Sequence, residues 1–181
     1  VVGVLDKGKD KGALVHTENT VRDKASGEII CTLTSTTFCR ADGGFGGPSG
    51  PGKPQHTLPD TAPELICDLP TLPQAALIYR LSGDYNPLHA DPAWAQKAGF
   101  EAPILHGRCT FGVACHALVK TLCGYDPSKL TGMQGRFSAP LYPGETIRTE
   151  MWRDGGAVSF RSSVPARGVT VLNNGRAEIT D

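Results

Sequence analysis

The chain has no net charge, since Lys and Arg number 18 and Asp and Glu also number 18. Apart from one cluster at Asp6 to Lys11, the charges are scattered, so no single-sign field draws in a polyanion or an anionic membrane surface. No apolar run is long enough to cross a bilayer, and no signal peptide is visible. The six cysteines (Cys31, Cys39, Cys67, Cys109, Cys115 and Cys123) include no Cys-x-x-Cys pair and no zinc-finger spacing. They are expected to be reduced, buried thiols in a cytosol-like compartment. There is no obvious internal repeat. The glycine-rich run Gly43 to Gly52 is not closed by Lys-Ser or Lys-Thr, which argues against a phosphate-binding loop.

What is present is an ordinary globular composition, 181 residues with 39% hydrophobic and 20% charged, enough for one comfortable domain. The chain opens Val1-Val2-Gly3-Val4-Leu5, as if already inside a strand, and a segment ahead of it is expected. Val1 to Leu5, Leu14 to Arg22 and Glu28 to Cys39 read as strands, with hairpin-turn chemistry at Asp23 to Gly27. Three such strands cannot bury a core alone and need a partner layer. Residues 41–56 read as a flexible Gly/Pro-rich linker.

Beyond the linker, Pro73 to Leu81 reads as a short helix ending at Ser82-Gly83. Asp91 caps a second helix, with Pro92 at its first position and Gly99 at its exit. Phe111, Ala114, Cys115, Leu118, Val119 and Leu122 recur at three- and four-residue spacing, which predicts a longer helix enclosed by a sheet and stopped at Gly124. Gln134 to Ala139, Thr146 to Arg153, Ala157 to Val164 and Gly168 to Thr180 complete the chain as strands. Asp154-Gly155-Gly156 supplies a hairpin turn, and Asn173-Asn174-Gly175 is a candidate for another. Helices followed by antiparallel strands make an α+β fold.

Chemistry concentrates in Tyr79-Arg80-Leu81-Ser82-Gly83-Asp84-Tyr85-Asn86-Pro87-Leu88-His89. Gly83 and Pro87 shape a short connection that carries a carboxylate, an amide and an imidazole. An Asp and a His side by side suit proton transfer. A second motif, Pro103-Ile104-Leu105-His106-Gly107-Arg108-Cys109, leads into the long helix, whose first free N–H groups favour developing negative charge. Taken singly, Asp84 is a turn residue and His89 a structural histidine; with Asn86 and the second motif they read as a site. His106 is assigned to fixing the turn before the helix. No helix-spaced ligand pair supports a metal at Asp84, His89 and His106, so none is expected. Cys109 and Cys115 sit in an apolar helix and read as small hydrophobes, while His16, His56 and His116 read as incidental.

Tyr79 to His89, followed by Ala98-Gly99-Phe100 and Pro103 to Gly107, resembles the hydratase-type-2 signature of the MaoC-like dehydratases. The likeness extends to Val4-Leu5-Asp6-Lys7-Gly8, Gly43 to Gly47, Arg136-Phe137, Pro140, Tyr142-Pro143-Gly144 and Thr149 to Trp152. Within that family it is similar to the hydratase domain of peroxisomal multifunctional enzymes of type 2. The resemblance implies a hot-dog fold, an antiparallel sheet wrapped around a long central helix, here as the C-terminal part of a double hot dog. Residues 1–40 would then be the closing strands of an incomplete N-terminal half, and 57–181 the catalytic half. The resemblance also implies a lyase, an (R)-specific enoyl-CoA hydratase of fatty acid β-oxidation, adding water reversibly and syn to a trans-2-enoyl-CoA. Asp84 and His89 match the catalytic pair, Asn86 the assisting amide, and the Gly107 N–H the oxyanion donor. Pro87, Leu88 and Phe137 match substrate-binding positions.

On this reading no cofactor is needed, because CoA arrives as part of the substrate. The partners would be the acyl-CoA, an N-terminal hot-dog half and a second copy of the chain, and nucleic acid is not among them. The location would be the cytoplasm in a bacterium, which is preferred, or the peroxisome in a eukaryote. Which of Asp84 and His89 acts first as base is left open. The rival readings are a dehydratase of acyl-carrier-protein thioesters and a non-catalytic thioester-binding module.

Overall fold

A computed structural model describes residues 1–180, which divide into two compact units, Val1–Pro54 and the remainder from Gln55. In the first, β1 (Gly3–Asp6), β2 (Ala13–Arg22) and β3 (Ile29–Cys39) form an antiparallel sheet in sequence order. The expected hairpin turn closes on Asp23, whose carboxylate accepts from the N–H groups of Ala25 and Ser26. The glycine-rich stretch begins under control of the same unit. Asp6 accepts from the N–H groups of Gly8, Gly44 and Gly46, so the run is tethered at its start.

The second unit contains β4 (Leu65–Pro70), α1 (Ala75–Tyr79), α2 (Pro92–Lys97), α3 (Gly107–Leu122), β5 (Leu130–Phe137), β6 (Thr146–Asp154), β7 (Ala157–Val164) and β8 (Val169–Ile179). Its sheet is antiparallel throughout, in the order β4-β6-β7-β8-β5. Sequence reading named no strand at Leu65–Pro70. This edge segment is short, carries Asp68 in its middle, and is held as a strand by pairing with β6 alone.

Helix α3 lies against this sheet, which gives the hot-dog arrangement. Ala114, Ala117 and Leu118 are buried with Met151, Phe160, Leu172 and Ala177. Two alanines on the buried stripe let the helix axis approach the sheet closely, while Leu118 and Phe160 fill the volume between. A second cluster, Ala76, Leu105, Leu141, Ile147, Val164 and Val171, seats α1 and the segment before α3. That cluster carries the site.

Asn173-Asn174-Gly175 does not make a hairpin. Phe160 pairs with Gly175 but Ser162 pairs with Leu172, so β8 runs through with one extra residue, a β-bulge. Asn174 takes φ 54, and a Cβ on Gly175 would stand 2.5 Å from the Phe160 carbonyl oxygen. Only glycine fits there.

Candidate active site

The site begins where α1 runs out. A single 3₁₀ turn over Arg80–Ser82 ends at Gly83, whose φ of 100 turns the chain out of the helix and presents Asp84 to solvent. Asp84 accepts from the Asn86 N–H at 3.3 Å, and Asn86 Oδ1 accepts from the Leu88 N–H at 3.0 Å. Asn86 therefore caps the next 3₁₀ turn, Pro87–His89, with Pro87 at its first position. With Oδ1 committed to the backbone, Asn86 has its Nδ2 donor left to offer a substrate. At the end of this turn His89 is buried, 9% exposed. Asp84, Asn86 and Pro87 are exposed, and Leu88 is half-buried.

His89 Nδ1 lies 2.7 Å from the Ile104 carbonyl oxygen. A carbonyl only accepts, so Nδ1 carries a proton, and in the neutral ring the lone pair is on Nε2. Ile104 in turn is fixed by its neighbour, because the Leu105 N–H donates to Leu141 at 2.7 Å and the Leu105 side chain is in the second core cluster.

Gly107 opens α3, and as its first residue it presents an N–H with no carbonyl one turn behind to accept it. Phe137 on β5 stands over it: a Cβ on Gly107 would be 3.3 Å from the Phe137 ring. Sequence pattern alone allowed Phe137 to be core, yet it is 53% exposed, at the surface of the site.

His106, grouped with Asp84 and His89 from sequence only as an unsupported metal set and assigned to fixing the turn before the helix, is brought into the same cluster. It is 1% exposed, its ring stacks on His89 with centroids 3.7 Å apart and planes 28° apart, and Tyr79 stands 4.6 Å away on another side. Its Nε2 donates to the Asp84 carbonyl oxygen at 3.2 Å. The buried Nδ1 has no partner among the described residues, a cost of about 1–3 kcal/mol for an acceptor. Burial pushes the His106 pKa down, the Asp84 carbonyl works against this, and the His89 ring adds to the lowering.

One ligand atom each of Asp84, His89 and His106 falls within 4.8 Å of the others, as in a metal site. The ring geometry opposes that use. Imidazole lone pairs lie in the ring plane, and two rings stacked with planes 28° apart cannot both aim at one ion about 2 Å from each nitrogen. The same spacing suits a carboxylate and an imidazole holding one water between them.

Other groups contribute nothing to this cluster. Cys109 and Cys115 are half-buried, and burial pushes both thiols up, away from thiolate chemistry. All six cysteines are free, but only Cys67 and Cys123 are buried; Cys31, on a strand with no layer packed over it among the described residues, is exposed, against the expectation of buried thiols. Clefts of about 450 and 410 Å³ in this unit are lined by Asp68, Glu145 and Arg148, and by His56, Trp152 and Arg153, and neither includes Asp84, His89 or Gly107. No helix among the described residues is long and apolar enough to cross a membrane.

A family model described as MaoC like domain matches residues 54–174. The peroxisomal enoyl-CoA hydratase 2 of Arabidopsis thaliana is 41% identical over 181 residues, covering 95% of this chain and 58% of its own length. The 3-hydroxyacyl-thioester dehydratase Y of Mycobacterium tuberculosis is 43% identical over 184 residues, covering 98% of this chain and 63% of its own. The solved structure of full-length peroxisomal multifunctional enzyme type 2 from Drosophila melanogaster superposes with a TM-score of 0.89 at 36% identity, over 99% of this chain and 32% of that one. The chain spans about three fifths of the length of the curated relatives that are single hydratases or dehydratases. The matched stretch builds nearly all of the five-stranded sheet, the central helix and the whole Asp84–His106 cluster, and the chain belongs to the MaoC-like dehydratase family.

Proposed function

We propose that this chain carries the catalytic site of an (R)-specific enoyl-CoA hydratase, adding water reversibly and syn to a trans-2-enoyl-CoA in fatty acyl-CoA metabolism. The observation that carries the reading is the Asp84 carboxylate and the His89 ring held within 4.8 Å, with His106, which stacks on His89, directly preceding the first residue of a 16-residue helix.

The His89 tautomer supports an order of proton transfer in which the imidazole is the first base. With Nδ1–H donated to Ile104, Nε2 takes a proton from a water that Asp84 orients, as the water oxygen bonds to C3. Electron density moves onto the thioester oxygen, which the Gly107 N–H holds; losing one such donor typically costs about 3 kcal/mol. The pair then returns a proton to C2 on the same face. Dehydration is the reverse, which fits relatives named for both directions. Pro87, Leu88 and Phe137 supply apolar surface beside the reacting atoms. The chemistry needs no metal or redox centre.

Asp84 is open to solvent, so an acyl chain requires walls beyond those of this unit. An N-terminal hot-dog half is the proposed source, with residues 1–40 as its closing strands and 41–56 as the linker, and a homodimer as the assembly. The proposed location is bacterial cytoplasm, or the peroxisome in a eukaryote.

The test follows the enoyl-thioester absorbance with crotonyl-CoA and trans-2-decenoyl-CoA, using the complete protein and Asp84→Asn. Expected are loss of the band, a (3R) product by a chiral dehydrogenase, and a drop of about 10²–10⁴-fold in the variant. No turnover from folded, complete protein would remove the reading in favour of a carrier-protein substrate or a non-catalytic module.

A further inference from the structure

His106 is placed where two parts of the site meet. Through Nε2 it holds the backbone of Asp84, and through its face it holds the ring of His89. Neither hold is duplicated by the other bonds of these residues. Asp84 is otherwise engaged by the Asn86 N–H, a contact inside its own turn that moves with it. His89 is bonded at Nδ1 to Ile104, which fixes one edge of the ring but leaves rotation about that bond to be stopped by packing.

The anchor itself is well built in. His106 precedes the first turn of α3, and its carbonyl accepts from both the N–H and the hydroxyl of Thr110, which is also buried. A position chosen for stability alone would take a ring without polar atoms. Phenylalanine would fill this buried space and stack equally well, with no unpaired Nδ1 left behind. The imidazole has one thing a phenyl ring lacks here, the donor to Asp84.

We infer that His106 is a positioning residue. Resting on the hydratase reading above, it sets the carboxylate of Asp84 and Nε2 of His89 at the separation that one water spans, without touching the substrate. Misplacement of a catalytic group by about 1 Å can cost about 10²-fold in rate.

The test uses the complete protein with two substitutions, His106→Phe and His106→Gln, and reads kcat, KM and thermal midpoint together on crotonyl-CoA. The first keeps the stack and loses the donor. The second places an amide N–H near the position of Nε2 and loses the stack. Expected for His106→Phe is a kcat lower by about 10–100-fold with KM within about threefold and a thermal midpoint no lower than wild type. His106→Gln should recover part of that kcat. A wild type that turns over while His106→Phe keeps kcat within about twofold overturns the inference and leaves the hydratase reading standing. A kcat that falls only in step with the thermal midpoint, with His106→Gln no better than His106→Phe, also overturns it, because that is the signature of a purely structural ring. A wild type without turnover removes the hydratase reading itself, and the inference with it.

Discussion

At the scale of single residues, Asp84, Asn86 and His89 could be read together because they lie on one short connection shaped by Gly83 and Pro87. The contact of His106 with them could not be read, since the stack that joins it to His89 forms across 17 positions and depends on how α3 enters the sheet. Asn86 shows that one side chain can hold two roles. Its Oδ1 caps the 3₁₀ turn by accepting from Leu88, and its Nδ2 is free to donate to substrate or water. Serine separates them, since a hydroxyl is as good a cap but has no second donor at that reach. For Asn86→Ser, urea unfolding should stay within about 0.5 kcal/mol of wild type, while kcat falls about tenfold or more. For Asn86→Ala both should suffer, with about 1 kcal/mol lost from stability. Full turnover in the serine variant would reduce Asn86 to a cap.

At the scale of elements, strands with strong flanking punctuation were placed to within a few residues, and β7 matched at both ends, Ala157 to Val164. The failures share a physical cause. β4 is only six residues long, with Leu65, Cys67 and Leu69 alternating inward, too short a pattern to stand out, and it is held as a strand by β6. The Asn-Asn-Gly run in β8 has turn chemistry but is pressed flat against Phe160, so it becomes a bulge. The site also depends on a loop with little pattern, Pro140 to Gly144, which receives the Leu105 N–H at Leu141. Glu145 locks this loop, accepting from the Tyr142 N–H at 2.7 Å and from Arg167 Nη2 at 2.8 Å. Burial raises its pKa, but the Arg167 guanidinium and the Tyr142 N–H outweigh that, holding the carboxyl below its ordinary value. A folded-state pKa below the unfolded one gives stability that is present above the unfolded value and lost as pH falls through the folded one. Wild type should therefore exceed Glu145→Gln by about 1–3 kcal/mol at pH 7, and the two should converge as pH falls below the ordinary glutamate range and through the lowered folded value. Denaturant titrations at stepped pH measure this. A gap that stays constant into acid would mean the carboxylate charge is not what holds the loop.

At the scale of the whole molecule, the two units are unlike in how they are stabilised. The second has two apolar clusters, with Leu118, Ile147, Met151, Phe160, Val164, Val171 and Leu172 fully buried. In residues 1–54 the only buried positions are Asp6, Gly12, Ala13 and His16, and just one of these has an apolar side chain. Val4, Val21, Ile29, Ile30, Leu33 and Phe38 are exposed on its three strands. Ordering a backbone costs roughly 1–2 kcal/mol per residue, and it is apolar burial at about 25 cal/mol per Å² that chiefly offsets this. The strand pairing of residues 1–54 is regular, yet a ladder of hydrogen bonds exchanged with water contributes little net stability. Patterning made the three strands legible and also showed that they lack a layer to pack on. The expected outcome is that residues 1–54 expressed alone are unfolded, with narrow amide proton dispersion and no cooperative thermal transition. Dispersed resonances and a sigmoidal melt from that fragment would show that its exposed apolar side chains bury against one another after all, and that the first unit is a domain in its own right.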